Sequence, residues 1–297
     1  MEIVDVRECL PATDDAPLRQ GDVFEWIPRP VDDSFRQYGL IVTADCDLAH
    51  EKHQGIISYV PVFSLRDYIR LFDLPKKVDI QLEKAGEALA GGVRKMQKNL
   101  PGFEVPMSAS TVLEWVERKK PEDVLAALGI QDSPKSERVA NLIRVYDALL
   151  QSREEGSFDD QLEALVLRQA HVSDGDLGKA RQQVMSRVVD SVAKLPGDAF
   201  FVGCITDDEP LGHVAYLRMV REINHDEVAI RVTGLDGARA KRVSRMQSPF
   251  LYRLTQQLGD VFASIGLPAD YEAQRRRIAE ALATSSAAEG PETGNDS

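Results

Sequence analysis

The sequence predicts an α+β fold: a small β domain split by a long helical insert and followed by C-terminal helices. Short runs rich in β-branched and aromatic residues gather in two blocks, at residues 21–62 and 199–233. Between the blocks the apolar spacing changes from two residues to between three and four. Each block holds about three short strands, which bury little apolar area alone. The blocks are therefore read as two halves of one discontinuous domain, a small barrel or sandwich.

In the first block, strands are expected over residues 21–27, 39–43 and 56–62, separated by the turn-formers Pro28, Pro30, Asp32, Asp33 and Gly55. Pro61 places the third of these at a sheet edge or at its own end. The insert opens with an ambiguous stretch, residues 76–106, broken by Gly91-Gly92 and Pro101-Gly102. Thr111-x-x-Glu114 resembles a capping box. Val139, Leu142, Ile143, Tyr146, Leu149 and Leu150 form one helical stripe. Residues 159–171 read as a helix, and Leu177, Ala180, Val184, Met185, Val188, Val192 and Leu195 form a second stripe.

The second block follows Leu195-Pro196-Gly197. Residues 199–205 read as a buried strand and 213–220 as the next. Residues 227–233 alternate Val228, Ile230 and Val232 against Glu227, Arg231 and Thr233, with Asn224-His225-Asp226 as the preceding turn. Ser248-Pro249 then starts a helix with Leu251, Leu254, Leu258, Val261, Phe262 and Ile265 on one face, ended by Gly266 and Pro268. A last helix is expected over residues 269–284, carrying Arg275-Arg276-Arg277. The chain thus divides into a first β half (1–66), a helical insert (67–195), a second β half (196–247), C-terminal helices (248–284) and a disordered tail (285–297).

The chain has 297 residues and a net charge of −12, so its overall field does not steer it towards nucleic acid. No apolar run reaches bilayer length, and residues 1–10 lack a signal peptide's basic start and apolar stretch, which places the protein in the cytoplasm and off the membrane. Three cysteines without a C-x-x-C pair exclude a disulfide framework and a zinc ribbon. There is no P-loop, dinucleotide fingerprint or Gly-x-Ser-x-Gly elbow, so no cofactor is expected.

Gly21-Asp22-Val23-Phe24, Tyr38-Gly39-Leu40-Ile41-Val42-Thr43 and Ile57-Ser58-Tyr59-Val60-Pro61-Val62 together resemble the opening of the MazF/PemK toxin endoribonucleases. The resemblance covers about the first 65 residues and implies an SH3-like barrel with Thr43 at the family's hydroxyl position. The family's Arg-Pro pair before the second strand is replaced by Gln37-Tyr38-Gly39, with Arg36 near but out of register. Thr43-Ala44-Asp45-Cys46-Asp47-Leu48 and the segment from Ser248-Pro249 to Gly266-Leu267-Pro268 also resemble uncharacterised bacterial proteins that accompany conflict or antiphage genes.

Two segments carry candidate chemistry. The first is Asp45-Cys46-Asp47-Leu48-Ala49-His50-Glu51-Lys52-His53. Cys46, His50 and His53 are ligand types for a transition metal, in a non-standard spacing. Cys46 is also a candidate nucleophile, although Asp45 and Asp47 oppose its ionisation. The third reading is structural: Asp45 or Asp47 caps the turn and Cys46 packs as a small hydrophobe. The second segment, residues 237–253, holds five basic residues and no acidic one. Arg239, Lys241, Arg242, Arg245 and Arg253 are candidate phosphate contacts, with Tyr252 as a stacking group; the alternative is a solvated strand with paired charges.

The expectation is a non-enzymatic binding or regulatory module of a bacterial conflict system, acting on protein or nucleic acid. The alternatives are a divergent endoribonuclease using Thr43, Arg36, Asp45 and Asp47, and a metal-binding protein using the 45–53 cluster.

Overall fold

The computed structural model describes residues 7–13, 16–28, 34–97, 105, 107–130, 134–173, 175–206, 212–231, 237–263, 273–278 and 280. Its strands are β1 (Cys9–Pro11), β2 (Asp22–Trp26), β3 (Tyr38–Ile41), β4 (Ile56–Ser64), β5 (Ala199–Val202), β6 (His213–Tyr216), β7 (Arg221–Asn224), β8 (Val228–Ala229) and β9 (Ala240–Met246). They form one curled sheet in the order β1-β9-β2-β3-β4-β6-β5, with β7 on β4 and β8 on β9. All pairs are antiparallel except β8 with β9.

The curl makes a half-barrel. Its two end strands, β1 and β5, do not pair. Instead the Gly203 N–H, just past β5, donates to the Glu8 carboxylate, just before β1, at 3.0 Å. A near-buried side chain thus spans the gap that a ladder would close in a complete barrel.

β4 bends the sheet. One edge pairs with β3, while the other pairs with β7 through Tyr59 and with β6 from Val62. Pro61 is therefore central, not at an edge as the sequence suggested. Val42 N donates to Ser58 O, so Leu40↔Val60 and Tyr38↔Val62 are the hydrogen-bonded pairs with β3. Pro61 points its missing N–H away from β3, at the gap where that side of β4 changes partner. Gly39 opposite is required by packing, because a side chain there would run into the Phe24 ring.

The helices between β4 and β5 are α2 (Leu65–Tyr68), α3 (Leu74–Gln97), α4 (Ala109–Arg118), α5 (Pro121–Ala127), α6 (Pro134–Glu155), α7 (Phe158–Val172) and α8 (Leu177–Ala193). Ile69–Asp73 joins α2 to α3 as a π-helical turn. Gly91-Gly92 does not break α3. The buried stripe Val78, Leu82, Leu89 and Val93 holds it together, so tertiary burial overrides the weak propensity. The cap of α4 is Ser108, whose side chain accepts from Thr111 N; the Thr111-x-x-Glu114 box does not form. A capping box does form at Ser157 and Asp160, starting α7.

The helical core extends onto the sheet through Phe63, Ala199 and Val214. α9 (Ser248–Ala263) packs with Leu254 against Val23, Leu40 and Val60 on one face of the sheet. The other face holds Phe24, Trp26, Ile41, Ile57 and Tyr59, with Phe24 edge-on to Tyr59 at 5.1 Å between ring centres. A one-turn helix, α1 (Asp45–Ala49), covers it through Leu48. The strand expected over 227–233 shrinks to β8 after a 3-10 turn at His225–Glu227, and residues 232–233 lie outside the described residues. Of the last expected helix, 273–278 and 280 are helical; the tail at 285–297 lies outside the described residues. No described helix is long and apolar enough to cross a membrane.

Candidate functional site

The predicted residues gather at the start of β2 and the end of β3. Asp22 opens β2 and is fully buried. Strand period places it on the face of Phe24 and Trp26, where an isolated carboxylate is costly unless paired. Arg245 pairs with it through both arms, Nε to Oδ1 at 2.5 Å and Nη2 to Oδ2 at 3.0 Å. The pairing holds the Arg245 guanidinium above its usual value despite partial burial. Arg19 N donates to Oδ2 at 2.9 Å.

Arg242 reaches the same carboxylate at 3.4 Å and also donates to Thr13 O, Ala16 O and Pro17 O at 2.6, 2.8 and 3.2 Å. Two of the six predicted nucleic-acid residues thus anchor the segment before β2. The physical reason is the alternation of β9, which turns Arg242 inward and leaves Lys241 half-exposed. Arg239 pairs with Glu227 and lies over the Trp26 ring at 5.6 Å. Tyr252 and Arg253 lie exposed on α9, where Arg253 bonds Gln256.

Thr43 ends the β3–β4 ladder. Its Oγ1 accepts from Ser58 N at 2.6 Å, the place a backbone carbonyl would take in a continuing strand. The Val42 carbonyl left over accepts from Gln20 Nε2 at 3.1 Å, and Gln20 N donates to Asp45 Oδ1 at 2.8 Å. Thr43 and Asp45 therefore tie the segment before β2 to the end of β3. Asp47 O accepts from Lys52 N and faces His53 Nδ1 at 3.1 Å. Arg36 belongs to the 3-10 turn before β3 and its side chain lies outside the described residues. Thr43 lies beyond the strand's opposite end, about 16 Å away along Tyr38 to Thr43 at roughly 3.3 Å a residue. Along the backbone, Arg36 and Thr43 belong to opposite ends of β3.

The metal candidates also separate. Cys46 is exposed and its thiol points to Asp47 Oδ1 at 3.6 Å. His50 is exposed. His53 turns to His225, Nε2 to Nδ1 at 2.9 Å. Among the described residues no group of three or more His, Cys, Asp or Glu side chains is gathered for a metal. The His50 N–H still bonds Cys46 O one turn below, so it is the engagement of Cys46 with Asp47 and of His53 with Asp47 O and His225 that draws the three apart.

His225, Gln20, Ser58 and the role of Asp22 were not read from the sequence. Asp22 left a signal, an acid in phase with Phe24 and Trp26. The partner of His53 is 172 positions away and left none. No family model, curated protein or solved structure matches the chain.

Proposed function

We propose that the protein is a non-enzymatic binding module that acts on a protein partner. The observation that most supports this is the fate of Thr43, whose hydroxyl holds the Ser58 N–H at 2.6 Å inside the sheet. A ribonuclease of the MazF type needs a cation beside that hydroxyl to stabilise the phosphorane-like transition state. Arg36 belongs to the other end of β3. The guanidinium groups of Arg242 and Arg245 are held by Asp22.

A protein partner fits better than nucleic acid. Of the six basic-segment candidates, Lys241, Tyr252 and Arg253 remain outward, and the exposed Arg239 is engaged by Glu227. Two phosphate contacts give an affinity that falls only about tenfold between about 50 and 200 mM salt, against roughly a thousandfold for six. In a chain of net charge −12 that is a weak electrostatic footprint. On α9, only Leu254 is fully buried, while Tyr252 and Phe262 are 71% and 60% exposed. Aromatic groups of this kind are enriched in protein interfaces. The setting in a bacterial conflict system is carried by the resemblance of residues 43–48 and 248–268.

The test is a titration of the purified protein against labelled RNA and DNA across a salt series, with the RNA watched for cleavage. Cutting that disappears in Thr43→Ala overturns the proposal in favour of the ribonuclease. Tight, steeply salt-dependent binding without cutting, weakened by Lys241→Gln and Arg253→Gln, moves the partner to nucleic acid. Neither cutting nor binding at low salt is the expected result.

A further inference from the structure

Gly91 and Gly92 lie inside the 24-residue α3. Each glycine weakens a helix interior relative to alanine. Packing explains Gly86, where a Cβ would meet Leu113 at 3.3 Å and Tyr146 at 3.4 Å. It does not explain the pair. A Cβ at Gly91 meets nothing within 4 Å, and one at Gly92 meets only Leu142 at an ordinary 3.8 Å.

The open space at Gly91 belongs to a cleft of about 750 Å³ between α3, α6 and α7. That volume is in the usual range for small-molecule sites. Met96, Val139 and Leu142 give it apolar walls. Lys95, Arg138 and Arg168 stand around it against one carboxylate, Glu87, so cations outnumber anions three to one. This is a local reversal in a chain of net charge −12.

The cations are also unspent. Three arginines on or against these helices are ion-paired, Arg66 with Asp159, Arg153 with Asp79 and Arg181 with Glu163, while Arg94 and Arg144 bond only the Ala90 carbonyl and the Asn141 amide oxygen. Among the described residues Lys95, Arg138 and Arg168 make no ion pair. The Arg168 Nε is buried and meets no acceptor, which leaves its desolvation uncompensated. His171, on the same wall, is pushed below its usual pKa by burial first and then by the charges of Arg168 and Arg138.

We propose that this cleft binds a small organic anion: a carboxylate or phosphate held by Arg168 and Arg138, attached to an apolar body lying over Gly91 against Met96, Val139 and Leu142. A guanidinium fork matches either anion in two-point contact. The missing side chain at Gly91 makes room for the body. The site lies in the helical layer and is independent of the partner proposed for the sheet and α9.

The test uses the full chain and calorimetric titration with four probes: benzoate, phenyl phosphate, inorganic phosphate and benzyl alcohol. One of the two aromatic anions should saturate a single site, and the stronger of them identifies the anion. The matching fragments, inorganic phosphate and benzyl alcohol, should bind at least about tenfold more weakly, because each lacks one half of the contact. Arg168→Gln should weaken binding by about tenfold or more. Gly91→Leu should abolish it while raising Tm, since leucine fills open space and favours the helix; this variant separates loss of the site from loss of the fold. The proposal is overturned if neither aromatic anion saturates up to about 10 mM. It is equally overturned if binding survives Gly91→Leu, if benzyl alcohol binds as well as the stronger aromatic anion, or, where that anion is phenyl phosphate, if inorganic phosphate binds as well.

Discussion

Arg242 and Asp22 form a buried ion pair, Nη1 to Oδ2 at 3.4 Å, with side chains 1% and 0% exposed. The same carboxylate holds Arg245, so one acid from β2 fixes two cations from β9. Removing one member of a buried pair strands the other charge and costs about 3–5 kcal/mol. Asp22→Asn, which keeps the shape and removes the charge, should lose that much in urea unfolding. Arg239→Gln breaks the half-exposed pair with Glu227 and the contact over Trp26 and should cost about 1–2 kcal/mol. An Asp22→Asn protein of unchanged stability would release Arg242 and Arg245 for the phosphate role that the basic run suggested.

Thr43 is expected to matter for stability and not for turnover. Thr43→Val keeps the shape but leaves the Ser58 N–H without its 2.6 Å acceptor, a loss of about 1–3 kcal/mol. Thr43→Ser keeps the oxygen and should recover most of that loss. Thermal unfolding of the two variants side by side decides it. Equal stability of Val and Ser would mean that the hydroxyl does not hold the ladder, and would leave it free for chemistry.

The contrast between these residues shows what the sequence could carry. Local period placed β2, β3, β4 and β5 and the stripes of α6 and α8, because side-chain spacing is a short-range property. The same period, applied to β9, separates Arg242 from Lys241, but it also sets Arg245 with Lys241; the register shift between Val23 and Phe24 is what brings both arginines to Asp22, and no local pattern shows it. Asp22 could be read as an acid needing a cation, but Arg242 is 220 positions away and no local pattern selects it. Gly91-Gly92 misled for the opposite reason. Breaker propensity is worth about 1 kcal/mol a residue, and the buried face of α3 outweighs it.

The His53–His225 contact should make stability fall with acid. The Asp47 carbonyl can only accept, so His53 Nδ1 carries the proton, and one of the two facing nitrogens, 2.9 Å apart, must stay unprotonated to accept. Both rings cannot be charged in this arrangement. Burial, and then the neighbouring His53, lower the His225 pKa below its ordinary 6.5. His171 is lowered in the same direction by burial, Arg168 and Arg138. The unfolded chain therefore binds protons first. This part of the stability is complete above pH 6.5 and is lost as pH falls from there through the folded values. Tm measured at pH 7.5, 6.5 and 5.5 should drop over the last step, and His225→Gln should flatten that drop. A drop of the same size in the variant would show that the pair is not its source.

The three cysteines should differ sharply in reactivity. Thiolate, not thiol, attacks a disulfide reagent. Burial is the main force that pushes the Cys9 thiol up to about 12. At pH 8 a thiol of that acidity is ionised in roughly one molecule in ten thousand, and Cys9 is also shielded between β9 and the core. Cys46 is exposed on α1, and Cys204 is half-buried with its thiol on Thr206 O at 3.1 Å. An aromatic disulfide reagent should release one equivalent quickly from the native protein, a second more slowly, and the third only in denaturant. Cys46→Ser should remove the fast phase and nothing else. A fast phase that persists in Cys46→Ser would place the accessible thiol at Cys204 and reopen the end of β5 as a reactive surface.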